Sequence, residues 1–147
     1  MMLMGESGLW EEVEKKVSRV IEGVEATLRE FVERENLSVA DAKRILEELA
    51  PSFSLLAKKG VLEVLYTLLL LGPLSFTRIL ESTGLNRRTL STRLKQLQSE
   101  GLVVKVREEG VEGSSRYALT EAGKATALLA IPLIYYISKQ KRRGDLR

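Results

Sequence analysis

Five side chains near the middle of this 147-residue sequence have types and spacing suited to chemistry: Arg87, Arg88, Ser91, Thr92 and Lys95. On a helix they lie opposite Leu90, Leu94 and Leu97, which recur at steps of four and three and mark one buried face. Arginine, lysine, serine and threonine donate hydrogen bonds to phosphate oxygens and base edges, and no carboxylate interrupts the set until Glu100. That chemistry is recognition of a polyanion, not bond cleavage. Histidine and cysteine are both absent, which removes disulfides, thiol chemistry, Ser-His and Cys-His nucleophile systems and any His/Cys zinc or copper site. Asp41 and Asp145 are the only aspartates, so no Asp-rich loop suggests Mg²⁺ or Ca²⁺. Tyr, Ser, Glu and Lys remain, but no spacing gathers a nucleophile, a base and oxyanion donors. The expectation is a non-enzyme without metal or cofactor.

The flanking residues position that face. Asn86 is a good N-cap for the helix carrying it, because its side-chain oxygen can take an orphan backbone N–H. Gly84 marks a tight turn, and before it Ser75 caps a short helix with a core face of Phe76, Ile79 and Leu80. After Gly101, residues 102–107 alternate Val103, Lys105 and Arg107 against Leu102, Val104 and Val106, a half-buried strand. Residues 108–115 form a turn region with two glycines, and 116–119 a return strand. Leu74 can add a one-residue strand, and Thr120 caps a last helix. A helix–turn–helix followed by a two-stranded hairpin is the winged-helix plan, and it points to DNA.

Residues 8–35 predict a long amphipathic helix. Leu9, Val13, Val17, Val20, Val24, Leu28 and Phe31 form a stripe that Trp10, Ile21 and Val32 widen at eleven-residue intervals, so the stripe runs nearly straight or drifts right-handed. A stripe this long exceeds what a small domain can cover, and pairing with a second copy is expected. Ser38 and Asp41 resemble a capping box opening a second helix. Pro51 is expected to end it, making 51–54 a hinge, with the next helix at 55–71, apolar nearly all round from Val61 and so buried on most sides. The final helix is strongly apolar over 125–137 and ends in the basic run 139–143. These thirteen residues rise only about 20 Å, short of a bilayer core of about 30 Å, and Pro132 would kink the helix. Burial against the N-terminal helix or its symmetry mate is expected, through Leu128, Ile131 and Ile134. A pocket between these terminal helices could hold a small-molecule effector, of unspecified chemistry.

An apolar content of 44% is that of a folded protein, and the net charge of +3 is unevenly placed. Residues 1–57 hold 12 acidic and 7 basic side chains, whereas 58–147 hold 8 acidic and 16 basic. The basic part contains the helix–turn–helix, as a polyanion partner requires. Few thermolabile residues and many Glu, Lys and Arg resemble thermophile usage. The N-terminus lacks the pattern of a signal peptide, so a cytoplasmic location is expected, with no membrane partner.

Gly72-Pro-Leu-Ser-Phe76, the segment from Leu85 through Arg87, Leu90, Leu94 and Leu97 to Val103, and Tyr117-Ala-Leu-Thr-Glu-Ala-Gly123 resemble winged-helix regulators of the HxlR type. They are also similar to MarR and ArsR relatives. The resemblance implies a cytoplasmic homodimer that binds double-stranded DNA and regulates transcription. Carried onto matching positions, it implies that Arg87, Arg88, Ser91, Thr92 and Lys95 enter the major groove, while Lys105, Arg107 and Arg116 touch backbone at the wing. HxlR-type proteins usually carry a cysteine and a Gly-Lys-Trp element where this chain has Ala57-Lys-Lys-Gly-Val61, so thiol-based sensing is excluded here. Glu108, Glu109 and Glu112 at the wing tip would be repelled by phosphate.

The expected architecture is mainly α with a small β-hairpin wing. It comprises a helical extension (1–50), a winged helix–turn–helix domain (51–120) and a C-terminal dimerisation helix with a basic tail (121–147). The expected function is sequence-specific regulation as a homodimer on a pseudo-palindrome, with helix 86–99 in the major groove. The alternative, motivated by the acidic wing and modest charge, is a winged helix used as a protein-interaction module within a transcription or chromatin assembly.

Overall fold

A computed structural model of the chain describes residues 8–107 and 115–145. Six helices and one hairpin follow in the order α1 (Leu9–Glu35), α2 (Val39–Ala57), α3 (Val61–Leu71), α4 (Phe76–Thr83), α5 (Arg87–Ser99), β1 (Val103–Arg107), β2 (Ser115–Leu119) and α6 (Glu121–Asp145). The chain divides into two units, Pro51–Ile131 and Met1–Ala50 with Pro132–Arg147. Each boundary falls at a proline inside a helix, Pro51 in α2 and Pro132 in α6.

The unit Pro51–Ile131 is a winged helix. Its core is Val61, Val64, Leu65 and Leu68 of α3, Ile79 of α4, Leu90, Leu94 and Leu97 of α5, Val103 of β1 and Ala127 of α6. The hairpin is antiparallel, with Val103 opposite Leu119 and Lys105 opposite Tyr117. Leu74 supplies the one-residue third strand, donating to the Tyr117 carbonyl at 3.0 Å and accepting from its N–H at 2.7 Å. The apolar residue that β1 buries is Val103, whereas Val104 and Val106 are exposed. Residues on one face of a strand alternate, so Lys105 shares the face of Val103, where it is exposed and pairs with Tyr117. The turn expected at 108–114 and the glutamates in it lie outside the described residues.

Two expectations about α2 and α3 are overturned. Pro51 does not end α2, which runs on to Ala57. Proline removes one helical hydrogen bond, but Leu55 and Leu56 just beyond it pack against the core and carry the helix on. The break lies instead at Gly60, whose φ of +95° is the left-handed region glycine tolerates. A Cβ on Gly60 would also sit 2.7 Å from a Leu85 methyl. Residues 55–71 are therefore not one helix. From Val61 the helix is buried on most sides, as its composition implies; besides Glu63, only Leu70, opposite the Val61–Val64–Leu65–Leu68 face, and Leu71, the last residue, are exposed, at 76% and 63%.

The start of α6 is tied to the end of α5. Thr120 Oγ1 donates to the Gly101 carbonyl at 2.6 Å and accepts from Gly123 N–H at 3.0 Å, while Thr120 N–H donates to the Leu102 carbonyl at 3.1 Å. Gly123 lies so close to that carbonyl that a Cβ would overlap its oxygen.

In the other unit, Trp10 of α1 is buried and stacks on Tyr135 of α6, with ring centroids 4.2 Å apart and planes 3° from parallel. Lys139 Nζ donates to Glu14 Oε1 at 2.6 Å and lies 5.9 Å from the Tyr135 ring centre. The α2 capping box forms as the sequence suggests: Asp41 N–H donates to Ser38 Oγ at 3.2 Å, and Ser38 N–H to Asp41 Oδ2 at 3.0 Å. The backbone and hydroxyl donors of Ser38 hold the Asp41 carboxyl below its ordinary value. Along α1, Val13 and Val17 are half-buried, but Leu9, Val20, Ile21, Val24, Leu28, Phe31 and Val32 are exposed. On α6, Leu128 is exposed, whereas Ile131 and Ile134 are half-buried. Among the described residues no helix is long and apolar enough to cross a membrane.

Candidate nucleic-acid interface

α5 is fixed at both ends and along one side. Asn86 Oδ1 accepts from Thr89 N–H at 2.8 Å, the N-cap expected from its type. The helix ends where Gly101 N–H donates to the Gln98 carbonyl at 3.1 Å and Leu102 N–H to the Leu97 carbonyl at 2.9 Å. Leu90, Leu94 and Leu97 are fully enclosed. α4, capped by Ser75 Oγ accepting from Arg78 N–H at 3.3 Å, packs its Ile79 into the same core.

At about 100° per residue, the direction opposite the leucines falls between Arg88, Thr92 and Lys95. These three are exposed and form the centre of the outward arc. Thr92 Oγ1 donates back to the Arg88 carbonyl at 2.9 Å, so its lone pairs face outward while its proton is used within the helix. Arg87 and Ser91 sit on one flank. The Arg87 guanidinium lies 5.9 Å from the Phe76 ring centre of α4, and Ser91 is half-buried. Among the described residues no carboxylate lies within ion-pair distance of Arg87, Arg88 or Lys95. The arc is thus an exposed cationic helix face whose charges, among the described residues, have no carboxylate to leave before they meet a ligand.

The three wing cations do not share a face. Lys105 and Arg107 alternate on one side, with Lys105 Nζ 5.7 Å from the ring centre of Tyr117. Arg116 stands opposite Val106, on the other side of the hairpin. Sequence alternation could have separated them, had the register across the turn been known.

Arg93 was not distinguished by the sequence. Its Nε donates to the Lys59 carbonyl at 2.6 Å and its Nη1 to Gln96 Oε1 at 3.0 Å. No local pattern reveals this tie, because it joins residues 34 apart in the chain. Among the described residues no cluster of three or more His, Cys, Asp or Glu could hold a metal ion.

The HxlR-like helix-turn-helix family matches over residues 55–145, which include the whole hairpin and all of α3 to α6. The chain belongs to that family. It is a DNA-binding transcriptional regulator of the HxlR type. Among solved structures, the reduced form of the transcriptional regulator YodB from B. subtilis is 26% identical, with a TM-score of 0.55 over 60% of this chain and 87% of that one. A possible HxlR family transcriptional factor from Thermoplasma volcanium is 33% identical, with a TM-score of 0.51 over 61% of this chain and 81% of that one. Bordetella bronchiseptica BpsR shares the fold at 15% identity, with a TM-score of 0.53 over 67% of this chain and 82% of that one. No curated protein shows significant similarity to the chain. The HxlR match begins at residue 55, so α1 and most of α2 are additions outside it.

Proposed function

We propose that this HxlR-type chain binds double-stranded DNA as a cytoplasmic homodimer, on a pseudo-palindromic site, with α5 in the major groove. The outward arc of Arg88, Thr92 and Lys95, with no carboxylate in ion-pair distance among the described residues, carries this reading. Arg88 reads a base, Lys95 and the flanking Arg87 and Ser91 secure the groove edges, and Lys105, Arg107 and Arg116 contact backbone at the wing. Two-fold symmetry sets half-sites about 10 base pairs, or a multiple, apart. Selecting genomic fragments that the protein binds and sequencing them tests it: enrichment of an inverted repeat with that spacing is expected, and recovery of no common sequence would count against it.

Dimerisation is assigned to the exposed stripe of α1 and to Leu128, Ile131 and Ile134 of α6. α1 is about 40 Å long at 1.5 Å per residue, and its residues Val20, Val24, Leu28 and Phe31 are 38–56% exposed. Because they lie outside the core, charge there should spare folding. Val24→Glu combined with Leu28→Glu is expected to yield a folded monomer by light scattering, whereas an intact dimer would remove α1 from the interface.

A further inference from the structure

The basic surface of the winged helix does not stop at α5. The joint between α2 and α3 places Lys58 and Lys59, both exposed, beside that helix. Two contacts fix it there, and a further bond engages the Glu63 carboxylate. Arg93 Nε donates to the Lys59 carbonyl at 2.6 Å. Gly60 packs against Leu85, just before the α5 cap, and against the Arg93 stem, a Cβ there lying 2.7 Å from a Leu85 methyl and 3.5 Å from Arg93 Cγ. Gly60 N–H donates to Glu63 Oε2 at 3.0 Å, and Glu63 is thereby engaged with backbone at the start of α3. Around the α5 axis, Arg93 lies on the flank opposite Arg87. The joint therefore borders the outward arc on one side as Arg87 and Phe76 border it on the other. Among the described residues neither lysine has a carboxylate within ion-pair distance.

We propose that Lys58 and Lys59 form a second phosphate clamp, gripping the DNA backbone alongside the groove that α5 enters, with Arg93 as the residue that positions them. A helix in the major groove has a phosphate strand along each side, and a cationic residue held on a rigid turn meets one of them with little side-chain ordering beyond its own stem. The clamp reads no base. It adds affinity and salt dependence uniformly across sequences.

The clamp rests on the α5 reading, and the test separates the two. Binding of the full chain to a mixed-sequence duplex of about 30 base pairs is measured across salt concentrations, where each phosphate contact contributes about 0.9 to the log–log slope. Lys58→Gln with Lys59→Gln is expected to reduce the slope by about 1 to 2, as two lost contacts require. Lys15→Gln with Lys16→Gln removes the same charge from α1 and is expected to leave it unchanged. Arg93→Lys keeps the charge but not the Nε bond and is expected to reproduce part of the loss. A slope unmoved by the Lys58/Lys59 change, but lowered by Arg88→Ala with Lys95→Ala, overturns the clamp alone. A slope unmoved by both overturns the α5 reading with it. An equal fall in the α1 control reduces the effect to net charge and overturns the clamp.

Discussion

Gly123→Ala is expected to destabilise the winged-helix unit by about 3 kcal/mol, although alanine is the better helix former. Helix propensity alone would favour alanine by up to about 1 kcal/mol in a helix interior. Against that stands the Leu102 carbonyl, whose oxygen occupies the space a Cβ needs. The obstacle is backbone, not the far end of a flexible side chain, so relief requires moving α6 away from the end of α5. That movement pulls on the Thr120 hydroxyl, which donates to Gly101 and accepts from Gly123. Overpacking of this kind costs about 1–3 kcal/mol or more, and loss of a partly buried hydrogen bond adds up to about 1 kcal/mol. In a domain of this size each kcal/mol lowers Tm by about 4–8 °C. Thermal and denaturant unfolding check it; a stability within 0.5 kcal/mol of the parent would show that the helix start shifts freely.

Arg88→Ala is expected to weaken binding to the preferred site by about 1–3 kcal/mol, a loss of roughly tenfold to more than a hundredfold. The residue is central in the outward arc, exposed and without an acidic partner among the described residues. A guanidinium there can grip guanine bidentately, which a phosphate-contacting lysine cannot do. The variant should therefore also relax the base preference at one position in each half-site. Lys105→Ala, by contrast, should weaken all sequences alike and lower the salt slope by about 0.9. Comparing enriched sequences for the two variants separates the roles. An unchanged preference in Arg88→Ala would move base reading to Arg87 or Lys95.

The sequence spoke most clearly where local chemistry decides structure. Asn86, Ser75, Thr120 and the Ser38–Asp41 box cap helices through their own side chains, and each does so here. Leu90, Leu94 and Leu97 announce a buried face through spacing alone. Leu74 joins the wing as the order of short elements suggests. Pro51 misled because its local penalty is one hydrogen bond, and the packing of Leu55 and Leu56 on the core outweighs it. The apolar run of α3 does mark a helix buried on most sides, and only its last two leucines, with Glu63, are exposed. For β1 the alternation was visible but not which side faces inward, and Val103, not Val104 or Val106, took the core.

By itself, then, the sequence determined the helix–turn–helix, its caps and the cationic face of α5, since all depend on contacts within four residues or on helical period. The absence of His and Cys fixed what chemistry is closed to the chain. Only the tertiary structure decided that Arg93 ties Lys59 to α5, that Gly123 must lack a side chain, and that Arg116 stands on the far side of the wing from Lys105. Those facts depend on pairs distant in sequence, brought together by a core whose packing no local pattern encodes.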